Sequence, residues 1–447
     1  MNILIILFLS FAISQSISYP IIDTGVETFY NNNQVIAEPN EGEAFYGQDA
    51  TYSGLQPSYT NNGNGIITDN NTGLMWEQFM GEKLNYLEAI TKADTSILGG
   101  FTDWRVPTLK ELYSLILFTG ESLGEQAIYM YIDTNYFDQP LGDVTIGERE
   151  IDAQTWSSTE YVGETMMGTE TIFGVNFVDG RIKGYPKYKP PQFIQLNKMY
   201  FRMVRGNNDY GTNSFVDNNN GTISDLNTGL MWQKANDDNF YDWENAILFS
   251  ENFELSGYTD WRLPNPKELH SIIDYTRCPD ITNSPAIDPI FYTTEIYDPS
   301  GIQNQYPYFW TGTTHINSPN PYSTAAYFAF GEAQGMINNQ LMDVHGAGAQ
   351  RSDYKFGNPE DFPSSMGPQG DIHYVFNAVR CVRNILHQMG DLNNDSQINV
   401  MDIIIMVNII LGDLIPTNQQ FSAGELNGDG IINVVDVIVL VNMILGQ

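Results

Sequence analysis

Short apolar runs broken by Gly, Asn and Asp fill most of this chain, and two helix-length apolar runs close it. Ile66–Asp69 and Leu74–Glu77 predict strands on either side of a Gly/Asn turn. Asn85 predicts a helix cap, with Glu88 at the third position reaching back to it; Asp242 and Asn245 hold the matching places further on. Thr108 and Glu111 form a second capping box, opening a helix predicted over Leu109–Phe118. Its counterpart has Asn265 at the cap, Pro266 at the first helical position and Glu268 at the third. Strands are predicted at Thr155–Ser158, Thr171–Val178, Arg181–Lys183 and Met199–Arg205. Two early helices followed by a β-rich half make an α+β module of about 150 residues. The closing runs, Val400–Leu411 and Val434–Leu445, predict helices ending at Gly412 and Gly446, where a left-handed cap suits glycine. At the other end, Ile3–Phe11 is apolar but too short to span a bilayer. With small residues at Ser16–Ser18 it reads as a secretory signal over residues 1–18; a buried N-terminal strand is the alternative. Ile403–Leu411 is strongly apolar, but it is short and interrupted by Asn408, so no later stretch reads as a membrane span.

The middle of the chain is written twice. N-N-G-N-G-I-I-T-D-N-N-T-G-L-M-W-E at 61–77 returns as N-N-N-G-T-I-S-D-L-N-T-G-L-M-W-Q at 218–233, and G-F-T-D-W-R-V-P at 100–107 returns as G-Y-T-D-W-R-L-P at 257–264. Lys110-Glu111-Leu112 answers to Lys267-Glu268-Leu269, and Trp156-Ser157-Ser158-Thr159 to Trp310-Thr311-Gly312-Thr313. Each copy closes on a Val-Arg pair, Val204-Arg205 and Val382-Arg383. The spacing widens toward the end of the second copy, so residues 340–370, rich in Gly, Pro, Ser and Asp, are expected to form an inserted loop. The expected organisation is a leader over 19–58 packing on the first module, modules at 59–206 and 207–384, and a separate unit at 388–447.

These ordered motifs resemble the Lcl C-terminal domain family: G-L-M-W, then D-W-R-x-P-x-x-K-E-L, W-S-S-T and a terminal V-R-C-V-R. Asp23-Thr24-Gly25 and Glu43–Ala50 resemble the segment that often precedes such domains. The resemblance implies an α+β fold with two tandem C-type-lectin-like modules, similar also to the sulfatase-modifying-factor fold. It implies adhesion, or binding of acidic polysaccharides. The sulfatase-modifying relatives act through cysteines in the C-terminal half of the fold, and the first copy has none. Trp104-Arg105 and Trp261-Arg262 can be read as sugar-stacking residues. The stronger reading packs both Trp side chains in the core and pairs Asp103 and Asp260 locally with the neighbouring Arg. Trp76 and Trp232 read as core, with Trp156 and Trp310 as further structural signatures.

Charge and rare residues narrow the function. The net charge of −34, from 54 acidic and 20 basic residues, repels nucleic acid and anionic surfaces. It speaks against sulfated glycans, except at a local basic groove around Arg181, Lys183, Lys187 and Lys189. Length and a hydrophobic content of 42% suit two to four packed units. In an exported chain the two cysteines, Cys278 and Cys381, favour one disulfide, with two buried thiols as the alternative. The histidines (His270, His315, His345, His373, His387) lack metal spacing, and no nucleophile motif is present, so no catalytic residue is assigned.

The last sixty residues carry the clearest chemistry. Two twelve-residue stretches, 391–402 and 425–436, place side-chain oxygens at positions 1, 3, 5, 9 and 12, the pattern of a calcium loop. Each precedes one apolar helix, and the pair resembles the type I dockerin family, small all-α units with two EF-hand-like loops that bind cohesin modules on scaffolds. By that resemblance Asp391, Asn393, Asp395, the Gln397 carbonyl, Asn399 through water and bidentate Asp402 hold one Ca2+. Glu425, Asn427, Asp429, the Ile431 carbonyl, Asn433 and Asp436 hold the other. Ile398 and Ile432, at position 8, pair the loops. Ser396 replaces the usual turn glycine and Glu425 the usual Asp, so the sites are expected to be unequal. The combined expectation is a secreted, non-enzymatic binding or adhesion protein tethered to a cohesin or surface assembly, its modules meeting a carbohydrate or protein ligand. A dockerin-borne enzyme of polysaccharide breakdown and a structural surface-layer component are the alternatives.

Overall fold

Each copy of the repeat opens on a meander closed by its own last strand. Tyr59–Asn61, Ile66–Asp69 and Leu74–Glu77 pair antiparallel, and Val204–Gly206 returns to pair with Leu74–Glu77. Phe215–Asp217, Thr222–Asp225, Leu230–Gln233 and Val382–Asn384 repeat that order. Trp76 faces Ile67 and Val204 across the sheet and Trp232 faces Ile223; all five are fully buried. The shared N-T-G turn follows from its chemistry. The Asp69 carboxylate accepts the Asn71 and Thr72 amides, and Gly73 and Gly229 both sit at φ 72°, which a side chain resists. The computed structural model describes residues 17–124, 128–189, 194–297, 304–367, 369–385, 389–393, 398–416 and 418–445. The apolar run Ile3–Phe11 lies outside them.

The capping boxes form as the sequence predicts. Asn85 and Glu88 cap the helix Tyr86–Asp94, and Asp242 caps Trp243–Glu251. Thr108 with Glu111, and Asn265 with Glu268, cap Leu109–Tyr113 and Pro266–Ser271. The first of these short helices stops well before Phe118. The Leu117 and Phe118 amides bond to the carbonyls of Tyr131 and Thr24 instead of continuing the helical ladder, so tertiary partners end it.

A second, three-stranded sheet completes each copy. In the first it is Thr155–Glu160, Thr171–Asn176 and Arg181–Pro186; in the second it is Tyr308–Thr314, Thr324–Ala329 and Gln350–Tyr354. Its central strand is buried at every position in both copies. The expected inserted loop at 340–370 instead carries strands joined by shorter loops. Gln334–Ile337 and Gln340–Asp343 form a hairpin, and with Asp371–His373 and Ser364–Met366 they build a four-stranded sheet. Asn338 and Asn339, both at positive φ, make the hairpin turn.

The two copies share one interior. Tyr19–Arg383 is a single compact unit, and one core cluster joins Trp76, Leu112 and Phe173 to Trp232, Leu269 and Phe328. Equivalent residues meet reciprocally. Lys110 Nζ donates to the Ser271 carbonyl at 2.8 Å, and Lys267 Nζ donates to the Ser114 carbonyl at 3.0 Å. This exchange is that of an approximate two-fold axis, the arrangement of an isologous dimer within one chain. Burial pushes both amines down, Lys110 to about 8 and Lys267 to about 7. The leader, expected on the first copy, reaches across to the second. The Asp23 carbonyl accepts from Lys267, the Asn31 carbonyl accepts from Lys355, and Asp49 accepts the hydroxyls of Thr24 and Thr313 at 2.7 and 2.6 Å. On the first copy the surface around Lys110 and Thr159, the counterparts of Lys267 and Thr313, borders a cavity of about 430 Å³.

The residues after Arg383 form a second unit. Val400–Leu411, Asn418–Gly424 and Val434–Leu445 are helices, and Leu392, Met406 and Leu440 are its buried core. Gly412 caps the first helix at φ 79°, as its position predicts, while Gly446 lies outside the described residues. Among the described residues no helix is long and apolar enough to cross a membrane.

Candidate functional site

The C-terminal loops are built around two buried carboxylates in matching settings. Asp402 Oδ1 accepts the amides of Leu392 and Asn393 at 2.8 and 3.2 Å, and its Oδ2 accepts the Asn399 amide at 2.8 Å. Asp436 repeats this with Leu426 and Asn427 at 2.7 and 3.2 Å and Asn433 at 2.8 Å. Both side chains are fully buried. Each loop is thus pinned across its width by its twelfth residue. Asn399 and Asn433 cap the helices that follow, accepting the Met401 and Val435 amides.

In the second loop the remaining donors converge. Asp429 Oδ2 accepts the side-chain amides of Asn427 and Asn433 at 3.0 and 2.9 Å, and Glu425 Oε1 and Asn427 Oδ1 both accept the Asp429 amide. The Ile431 amide, donating to Oδ1 at 3.0 Å, and then the Asn427 and Asn433 side chains hold the Asp429 carboxyl below its ordinary value. Gly430 takes φ 82° at the sharp turn, and the longer Glu425 side chain folds back over the loop. Of the first-loop ligand set, Asp391 and Asn393 are buried, whereas Asp395, Ser396 and Gln397 lie outside the described residues. Ile398 and Ile432 pack against the same small core. Among the described residues no group of three or more His, Cys, Asp and Glu is gathered for a metal. The loops instead mix carboxylates with asparagine and backbone oxygens, a donor set that fits a hard cation such as Ca2+.

In the repeated modules the signature residues are structural. Trp76, Trp104, Trp156, Trp232, Trp261 and Trp310 are each at most 2% exposed, so none offers a face to a sugar. The indole N–H of Trp104 donates to the Leu98 carbonyl, that of Trp156 to Leu84 and that of Trp310 to Tyr241. The expected local pairs do not form. Arg105 binds Glu111 and Arg262 binds Glu268, each through two hydrogen bonds of 2.6–2.7 Å. Asp103 and Asp260 pair instead with Arg205 and Arg383, the closing residues of each copy. An Arg two residues beyond an Asp on an extended segment points to the same side but finds better fork geometry on the carboxylate at a helix start. Arg202 and Arg380 were not singled out from the sequence. Both are fully buried and donate to backbone carbonyls that close the meander: Glu77, Gln78 and Asp138, and Gln233, Lys234 and Tyr292. Their recurrence three residues before each final Arg was the available signal.

Two further expectations are corrected. Cys278 and Cys381 are free and buried. Cys278 lies beside Tyr161, while Cys381 takes the place of Met203 in the core and contacts Ser250. Burial pushes the Cys381 thiol up to about 12. The expected basic groove is neutralised from within: Asp179 lies 3.2 Å from Arg181 and 3.6 Å from Lys183, and Lys187 binds Glu160 and Glu170; Lys189 is exposed. His270, His315, His345 and His373 are each bonded at separate places, to Tyr275, the Asp179 carbonyl, Asp371 and Asp353, and His387 lies outside the described residues. Burial pushes Glu332 and Asp343 up to about 8 and 7. The Asp343 carboxylate is occupied by the Tyr161 hydroxyl and the amides of His345 and Gly346.

Comparison with known families fits this division. The Lcl C-terminal domain matches residues 65–205 and 221–344, and the dockerin type I domain matches residues 389–445. The second match ends inside the four-stranded insertion. No curated protein matches the chain. Type I dockerins bind calcium and dock onto cohesin modules, and proteins that carry them are typically extracellular. With two matches spanning more than half of its length, the chain belongs to the Lcl C-terminal domain family and ends in a type I dockerin.

Proposed function

We propose that this is a secreted, non-enzymatic recognition protein whose paired modules hold an extracellular ligand while the dockerin tethers them to a cohesin-bearing assembly. The reading rests on the matched settings of Asp402 and Asp436, each gathering three loop amides at the head of an apolar helix. Two loops of this kind take two Ca2+ ions. The ion supplies the positive charge that the oxygen-rich loops lack; no Lys or Arg follows Arg383. Val400, Ile404 and Leu411 on one helix, and Val434, Ile438 and Leu445 on the other, are exposed apolar positions in the same pattern. They form the surface that meets the protein partner. Calorimetric titration of the full chain with calcium is expected to give two sites, and Asp402→Ala with Asp436→Ala to remove both calcium binding and cohesin pull-down. Pull-down that survives chelation and the double substitution defeats the tethering role.

A second reading, a carboxylate enzyme of polysaccharide breakdown, draws on the raised pair Glu332 and Asp343. Release of reducing ends from a polysaccharide panel, lost in Asp343→Asn, is the result that favours it over recognition.

A further inference from the structure

One face of the module carries opposite chemistry in the two copies. The backbone fixes the correspondence, since Leu84 bridges Met199 as Tyr241 bridges Asn377. At three equivalent positions the first copy has Lys83, Lys92 and Lys198, and the second has Phe240, Phe249 and Phe376. The lysines are all engaged: Lys83 with Glu148 at 2.5 Å, Lys198 with Glu88 at 3.7 Å, and Lys92 over the Phe201 ring. The phenylalanines line a groove of about 580 Å³, together with Tyr241 and Phe253. Tyr241 stacks on Phe249 at 4.9 Å, and Phe249 lies 5.4 Å from Phe253. Phe240 and Leu248 on its walls are 39% and 49% exposed, so apolar surface is held open to solvent.

The rim decides what can enter. It consists of Asp242, Asn245, Asn252 and Glu254, with no Lys or Arg among the lining residues. The Asn245 amide nitrogen is anchored to Asp242 and that of Asn252 to the Leu248 carbonyl, leaving the carbonyl oxygens as acceptors for a ligand. Flat aromatic faces suit the C–H faces of a sugar ring, and oxygen acceptors suit its hydroxyl donors. Carboxylates at the rim of a chain with net charge −34 repel sulfate and uronate. From this juxtaposition of an aromatic floor and an oxygen-only rim, absent from the first copy, we propose that the groove of the second copy is a binding site for a neutral oligosaccharide. The proposal rests on the recognition role given above and names its ligand class.

The test is affinity electrophoresis of the full calcium-loaded chain in gels containing a soluble β-glucan, a xylan or a mannan, beside sulfated and uronate polymers. Retardation is expected in at least one neutral polymer, insensitive to salt. Phe240→Lys and Leu248→Thr place first-copy residues at exposed positions that carry little folding risk. Each is expected to weaken that retardation about tenfold, while Phe249→Tyr preserves it. The proposal is overturned if these substitutions leave neutral-polymer binding unchanged, if only charged polymers or a peptide are bound, or if no polymer is bound. Degradation of a polymer in the gel is a separate outcome, which removes the recognition reading itself.

Discussion

Truncation of Asp436 isolates what holds the calcium loop together. Its carboxylate, fully buried, accepts three amides at 2.7, 3.2 and 2.8 Å. Hydrogen bonds to a charged acceptor contribute about 1.5–3 kcal/mol each. One of the three is long, so the low end applies and Asp436→Ala is expected to cost roughly 4–5 kcal/mol. The unit has a core of Leu392, Met406 and Leu440, and a core of that size supplies no more than about 3–5 kcal/mol. The truncation therefore removes nearly all of that margin, and because it also deletes the oxygen proposed to close the calcium site, the helix Val434–Leu445 is expected to lose its order even when calcium is added. Asp436→Asn keeps Oδ1 for Leu426 and Asn427 but sets an amide nitrogen against the Asn433 N–H. That single mismatch costs about 2 kcal/mol, which calcium binding can offset. The assay is hydrogen exchange with mass spectrometry on the full chain, following peptides over 434–445 with and without calcium. The expected order of protection is wild type, then Asn, then Ala. Equal protection in wild type and Asp436→Ala would refute the reasoning, because helix packing alone would then hold the loop.

Four other outcomes follow from the larger unit. Burial raises the Asp49 carboxyl from 3.8 to about 7, so its ionisation opposes folding. Stability is therefore highest below its ordinary value and falls as pH rises through about 7, by roughly 4 kcal/mol at about 1.36 kcal/mol per pH unit; Asp49→Asn should remove that slope from Tm measured over pH 4 to 8. Thiol reagents are expected to label neither cysteine in the native protein and both after denaturation, and a reductant should leave Tm unchanged; a disulfide predicts no labelling after denaturation without reductant, and a lower Tm with it. Glu268→Ala strips the buried Arg262 guanidinium of its bidentate carboxylate, at a cost of about 3–5 kcal/mol, whereas Asp152→Ala beside the exposed Arg149 should cost under about 1 kcal/mol by the same melts. Tyr113→Ala, at the contact with His270, should lower one calorimetric transition for both copies by about 3–5 kcal/mol; two separated transitions would contradict a shared core.

The local features most legible in the sequence were those decided by neighbours along the chain. Capping boxes at Asn85, Thr108 and Asn265 depend on residues three apart, and all three form. The helices Val400–Leu411 and Val434–Leu445 were bounded correctly because an Asn cap precedes each apolar run. The inserted segment was misread because its hairpin turn is Asn338-Asn339, while its Gly and Pro content suggested a loop. The Asp103 and Asp260 partners were misassigned because Arg205 and Arg383 lie about a hundred residues away or more and reach them only through the returning strand.

By itself the sequence determined the duplication, the α+β order of each copy and the oxygen spacing of the two loops, since periodicity and short-range bonding fix these. Only the tertiary structure decided that the copies are one body. Lys110 and Lys267 read as ordinary polar positions in a K-E-L motif, yet each crosses to a carbonyl of the other copy, where burial strips its water and lowers its affinity for a proton. The same holds for Phe240, Phe249 and Phe376. Scattered over more than a hundred residues, they become a groove only when the helix and the returning strand bring them together.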